Sequence, residues 1–196
     1  MTHATLDSAL ASGLLDKTKH AALLRESANV TRAANIPLTM LYTSMVGLCS
    51  EQEIDYVRAL RRQADVGVYG MVVCGNHSPT PILDRFAAIA GACLRNYISA
   101  RVMTVQEALD ALDADGKITA SVLLIPNFGI NAKNGGRMAE WEVPALLGMM
   151  YSRQSAACQT VVYVESLKAL ALSHGTACAE YLGSEHFVKA DANFNK

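Results

Sequence analysis

Several features are missing from these 196 residues, and each absence narrows the class of protein. No stretch of about 18 uncharged apolar residues occurs, so no transmembrane helix is expected. The opening MTHATLDSALASGLLDKTKH has no basic start followed by an apolar block, so no signal peptide is expected either. Neither sign of charge is in excess. The formal net charge is -1, which gives no global pull toward nucleic acid, so any DNA contact would have to come from a local patch. No C-x-x-C pair is present. The cysteines (Cys49, Cys74, Cys93, Cys158 and Cys178) are odd in number and lie mostly in apolar surroundings. They read as reduced, buried thiols of a cytoplasmic protein and argue against a disulfide framework or zinc site. The histidines at 3, 20, 77, 174 and 186 are scattered with no H-x-x-x-H pair, so no metal is expected. Arginine stops at Arg153.

What is present describes a compact chain: 51% of the residues are apolar, enough for one domain with a full core. Residues 5–34 read as mainly helical, with Leu6, Leu10, Leu14 and Leu15 at helical spacing, and Pro37 then punctuates the chain. Ser50 followed by Glu53 is a capping-box signature that opens a helix running to about Ala64. From there the period changes. GMVVCG (70–75) has strand length, and a helix is expected over Asp84–Tyr97. ARVMTV (100–105) reads as a strand, and Thr104 with Glu107 caps a helix over Val105–Leu112. ASVLLIPNF (120–128) is the strongest strand, apolar on successive residues as for a strand buried on both faces. A loop rich in Asn and Gly (129–136), a helix near Glu140–Ser152 and the strand QTVVYVES (159–166) follow. Helical residues 167–182, interrupted near Gly175, lead to a short last strand at EHFVKAD. Alternating strands and helices imply an α/β fold with a parallel sheet covered on both faces. The division expected is residues 1–49 as an N-terminal helical segment and linker and 50–196 as the α/β core.

The stretch VVCGNHSPTPIL (72–83) runs from strand through loop to helix, the layout of a phosphate-binding P-loop. Gly75 is in place. A P-loop would next need glycine, lysine and Ser/Thr where Thr80, Pro81 and Ile82 stand. SVLLIPNF has the layout of a Walker B strand, with Pro126 and Asn127 in the places of the acids, and QTVVYVES falls where a sensor 1 strand would be. ESANVTRAANIPLTMLYTSM resembles the helix and "IP" turn that precede the core of AAA+ ATPases of the DnaC/DnaI/IstB helicase-loader type. RFAAIAGACLRNYISARVMTVQEALDAL resembles their first core helix, second strand and following helix. WEVPALLGMMYSRQSAACQTVVYV resembles the helix carrying a basic residue, here Arg153, ahead of sensor 1. The resemblance covers roughly residues 27–190 and rests on the order and spacing of elements. It implies a three-layer P-loop/AAA+-like sheet of order 5-1-4-3-2, mostly parallel, with a short N-terminal helical segment.

The departures decide the function that the resemblance implies. Pro81 has neither N–H nor charge to offer a phosphate, and Ile82 does not ligate magnesium. Pro126 and Asn127 leave the cation without its carboxylates. With no arginine after Arg153, a finger and a sensor 2 arginine are missing as well. The expectation is a catalytically inactive AAA+-like protein that binds no cofactor or metal. It would act by protein contact on a helicase, loader or initiator in DNA replication, as adaptor or inhibitor. Two other readings stay open: an α/β enzyme or an anion- or nucleotide-binding protein using loop 75–82, and a structural homo-oligomer; His77 and Ser78 in that loop have no third positioned partner in the sequence, which argues against a catalytic role for them. An unrelated doubly wound domain accounts for the same element order. The candidate contacts are Leu10 and Leu14 on an N-terminal apolar stripe, and Arg58, Arg61 and Arg62 with Lys17, Lys19, Arg25 and Arg32 upstream. Arg137 in the 129–138 loop and Arg153 complete the set. Seven acids share the first 65 residues with those basic groups, which favours a solvated mixed-charge face over a DNA contact. Trp141, Met149, Met150 and Tyr151 read as core or interface.

Overall fold

A computed structural model describes residues 4–75, 79–129 and 141–193. Four short helices open the chain: α1 (Leu6–Ala11), α2 (Ala21–Arg25), α3 (Ser27–Ala33) and α4 (Leu38–Leu41). Then come α5 (Glu51–Gln63), β1 (Gly70–Cys74), α6 (Pro79–Arg95), β2 (Ala100–Val102), α7 (Val105–Asp115) and β3 (Val122–Ile125). The chain continues through α8 (Glu142–Ser155), β4 (Gln159–Val164), α9 (Leu167–His174), α10 (Thr176–Gly183) and β5 (Phe187–Asp191).

The five strands form one sheet ordered β2-β3-β4-β1-β5, which from the other edge reads β5-β1-β4-β3-β2. Every pairing is parallel. β1, β3 and β4 are apolar along nearly their whole length because helices cover both of their faces, whereas the edge strands β2 and β5 keep exposed positions at Arg101 and Lys189. On one face Met71, Val73, Leu124 and Val161 pack with Phe86, Ile89 and Cys93 of α6 and with residues of α1–α5. On the other, Val72, Leu123, Ile125 and Val162 pack with Leu109 of α7, Leu146 and Met150 of α8, Leu170 of α9 and Leu182 of α10.

Both capping boxes form as the sequence specifies. Ser50 and Glu53 open α5, and Thr104 and Glu107 open α7. One boundary differs. The prolines of SPTP read as loop, yet α6 begins at Pro79, five residues before the expected start at Asp84. The first turn of a helix has no use for its own N–H groups, so Pro79 and Pro81 are tolerated there.

The N-terminal stripe also differs from expectation. Ala9, Leu15 and Leu23 are buried, and Leu10, Leu14 and Leu24 pack against the same hydrophobic cluster as α6. The stripe is therefore partly covered by the chain's own core: Leu6 is exposed, and Leu10 and Leu14 are half-buried. Two polar contacts tie this region down: His20 Nε2 lies 3.1 Å from the Arg95 carbonyl, and Arg95 donates to the Leu41 carbonyl at 2.9 Å.

Candidate functional site

In a parallel sheet, ligands are expected outside the carboxyl ends of the strands, where neighbouring connections leave toward opposite faces. Here that place lies between β1 and β4, because α6 covers one face and α9 the other. Gly75, the first residue past β1, has φ +143. Its N–H is shared between the carbonyls of Val164 (3.3 Å) and Glu165 (3.2 Å), and its own carbonyl accepts from the Tyr163 hydroxyl at 2.7 Å. The chain's C-terminal side closes over it. A Cβ on residue 75 would lie 2.7 Å from Asn193 Nδ2 and 2.9 Å from the Ala192 Cβ. Ala192 in turn donates its N–H to the Cys74 carbonyl at 2.6 Å. The glycine is thus required by the close approach of residues 192–193.

Thr80, Pro81 and Ile82 fall in the first turn of α6. Ile82 is 1% exposed and belongs to the core. At the end of β3, Pro126 is buried, and Asn127 accepts the Val105 N–H on Oδ1 at 3.2 Å, satisfying one of the open donors at the start of α7. At the end of β4, Ser166 caps α9 by accepting the Ala169 N–H at 3.0 Å. A small cavity of about 200 Å³ lies alongside, lined by Gly129, Tyr163, Glu165 and Ser173 among others. Behind it His174 is buried, with Nδ1 2.7 Å from Ser173 Oγ and its ring stacked on Phe128. Burial lowers its pKa, opposed by the Phe128 backbone and Glu142. His77 and Ser78 lie outside the described residues. Among the described residues, no group of three His, Cys, Asp or Glu side chains is placed to hold a metal ion.

Sequence reasoning missed an ionic junction beside this edge. Arg85 of α6 meets Glu53 of α5 through two contacts, Nη2–Oε2 at 2.6 Å and Nε–Oε1 at 3.2 Å. Glu53 also accepts from the backbone N–H (2.6 Å) and hydroxyl (2.9 Å) of Ser50. The Arg85 guanidinium donates onward to the carbonyls of Ala192 (2.7 Å) and Asp191 (3.2 Å). The start of α5, the second turn of α6 and the end of β5 are thereby locked together. Glu53 was legible as a capping residue, but nothing in its spacing named Arg85 as its partner.

The structure brings some of the predicted contact residues together. Leu14, Arg58 and Arg61 line one groove of about 430 Å³, with Val46, Ile54 and Val57 supplying apolar surface. Arg58 pairs with Asp55 at 3.0 Å, and Arg61 donates to the Asn96 carbonyl at 2.8 Å. Lys19 is near this region through its carbonyl, which accepts from the Tyr97 hydroxyl. Arg62 is exposed on the same helix, as are Arg25 and Arg32 on the helices before it. Arg153 must be reassigned. It is 4% exposed, and it donates to the Gln159 carbonyl (2.7 Å), the Thr160 hydroxyl (3.0 Å) and the Ile118 carbonyl (3.1 Å). It clamps the entries of β3 and β4 and is not available to a partner. Arg137 lies outside the described residues.

Comparison with protein-family models gives no match, and neither does comparison with curated proteins. Among the described residues no helix is long and apolar enough to cross a membrane.

Proposed function

We propose that this chain is a catalytically inactive AAA+-like protein that works in the cytoplasm by binding another protein, as a helicase-loader-like adaptor or inhibitor in DNA replication. The observation that carries the reading is the closure of the sheet edge by the chain's own contacts. The Gly75 N–H is taken by β4, Asn193 sits against Gly75, Ile82 is in the core, and Asn127 serves the start of α7. Positions that would hold phosphate and magnesium in a P-loop ATPase are committed to packing and capping, which leaves little for phosphoryl transfer to use. The sheet order supports the likeness to helicase loaders.

The groove between α5, α6, Leu14 and residues 44–46 supplies the contact surface in this reading. Its apolar floor and the rim of Arg58 and Arg61 suit an apolar segment bearing acids from the partner. Capture experiments with purified replicative helicase, loader and initiator test it. The expected result is retention of one of them, independent of ATP, and loss of that retention on Arg58→Glu with Arg61→Glu. Retention of none, or ATP turnover by the protein alone, overturns the proposal.

A further inference from the structure

Three arginines are buried among the described residues, and two of them are saturated. Arg85 and Arg153 each donate from Nε, Nη1 and Nη2. Arg95, at the end of α6, differs. It is 6% exposed, yet only Nη1 donates, to the carbonyls of Leu41 (2.9 Å) and Met40 (3.4 Å). Nε and Nη2 meet no acceptor among the described residues. They are not sealed into the core either, because the one enclosed side-chain nitrogen without a partner among those residues is His174 Nε2. No described carboxylate lies within 4 Å of the Arg95 guanidinium. Burial pushes its pKa down to about 10, opposed by Cys93 and by no acid. At neutral pH it is therefore still a cation, and a buried cation without a counter-charge is costly.

Arg95 lines the groove of about 430 Å³ beside α5 and α6, and no acid stands among the residues that line it. The two open donors are thus offered to that groove. At its rim Arg58 is engaged by Asp55 (3.0 Å), and Arg61 donates to the Asn96 carbonyl (2.8 Å). The rest of the lining is mostly apolar, with Met45, Val46, Ile54, Val57 and Ile98 as its larger side chains.

The ligand chemistry follows from these two parts. The Nε and Nη2 edge of a guanidinium presents two parallel N–H groups that match the two oxygens of a carboxylate. A phosphate dianion would call for further donors, and the rim arginines are already engaged. The apolar walls suit a hydrocarbon body, and the volume is within the roughly 300–1,000 Å³ of small-molecule sites. Beyond the proposed partner contact, we infer that this groove binds a small carboxylate with an apolar body, its head group held on Nε and Nη2 of Arg95. The two readings stand apart: failure of helicase capture leaves this one untouched, and the reverse holds as well.

Octanoate titrated into the isotope-labelled full chain, followed by backbone amide shifts, tests the inference. The expected result is saturable binding with a dissociation constant of about 0.1–1 mM. The shifts should centre on residues 44–46, 54–61 and 92–98, which surround the groove. Octanol, with the same tail and no charge, should bind at least about tenfold more weakly, and so should inorganic phosphate. Arg95→Lys keeps the charge but loses the two-pronged edge, and should weaken octanoate at least about tenfold. Val46→Glu is the second variant. Val46 is 74% exposed, so the fold is spared, while a carboxylate at the groove should repel the ligand by about the same factor. If Arg95→Lys does not fold, Val46→Glu decides alone. No saturation below about 20 mM, octanol or phosphate binding as tightly as octanoate, shifts centred elsewhere, or a folded variant that binds like the parent overturns the inference.

Discussion

Arg85 and Glu53 are held in a two-pronged ion pair whose side chains are 3% and 0% exposed. Removing either partner leaves a buried charge without its counterpart, which is expected to cost about 3–5 kcal/mol. Arg85→Leu and Glu53→Leu should each lower the urea midpoint by that equivalent. The double substitution to Leu should cost less than the sum of the two, because no lone charge remains. A single variant within about 0.5 kcal/mol of the parent would show the pair to be dispensable.

Calorimetry with ATP and magnesium should show no micromolar binding. Pro81→Lys alone should not confer hydrolysis, because the Walker B carboxylates are still absent at Pro126 and Asn127 and no arginine follows Arg153. Asn127→Ala should instead destabilise the fold by about 1 kcal/mol, the usual worth of a side chain that satisfies a helix start. Magnesium-dependent turnover abolished by Asn127→Ala would contradict the first statement, and an unchanged denaturant midpoint in that variant would contradict the last.

Leu10→Ser with Leu14→Ser tests the N-terminal stripe. Since both side chains pack on the core, the pair should destabilise the whole fold by about 2–4 kcal/mol together, visible as an earlier denaturant midpoint. An unchanged midpoint with weakened partner binding would return these residues to the role of an exposed contact.

His174 predicts a pH dependence. Burial lowers its folded-state pKa below the ordinary 6.5, so the unfolded chain binds the proton more readily. Its contribution is therefore fully present above about pH 6.5 and is lost as pH falls through the interval down to the folded-state value, below which it levels off. Urea midpoints measured at intervals from about pH 7.5 to 5 should fall for the parent and fall less for His174→Phe. Equal slopes for the two would exclude His174 as the source.

Local signals in the sequence translated directly into structure. Ser50 with Glu53 and Thr104 with Glu107 involve residues three apart, so the sequence displays the cap and its partner together. The apolar runs at 71–74, 122–125 and 159–164 became buried strands because parallel strands covered on both faces need no alternation. Long-range partnership was not legible. Arg153 lies in the last turn of an apolar helix and reads as a surface cation until residues 118, 159 and 160 are seen converging on it. The same holds for Leu10 and Leu14, whose periodicity shows that the stripe needs a cover without showing that the chain's own core supplies part of it. Pro79 and Pro81 misled because proline marks both turns and helix starts, and only the backbone distinguishes them.

The placement of β1 has a consequence for how quickly the chain assembles. Gly70 pairs with Thr160 on one side and Phe187 on the other, so the central strand finds neither neighbour until distant parts of the chain arrive. Such non-local pairing requires large loops to close before any sheet bond rewards them, which slows folding relative to a helical bundle of the same length. Until that moment the run from Met71 to Val73 is an unpaired apolar strand, the segment through which an incompletely folded chain would aggregate.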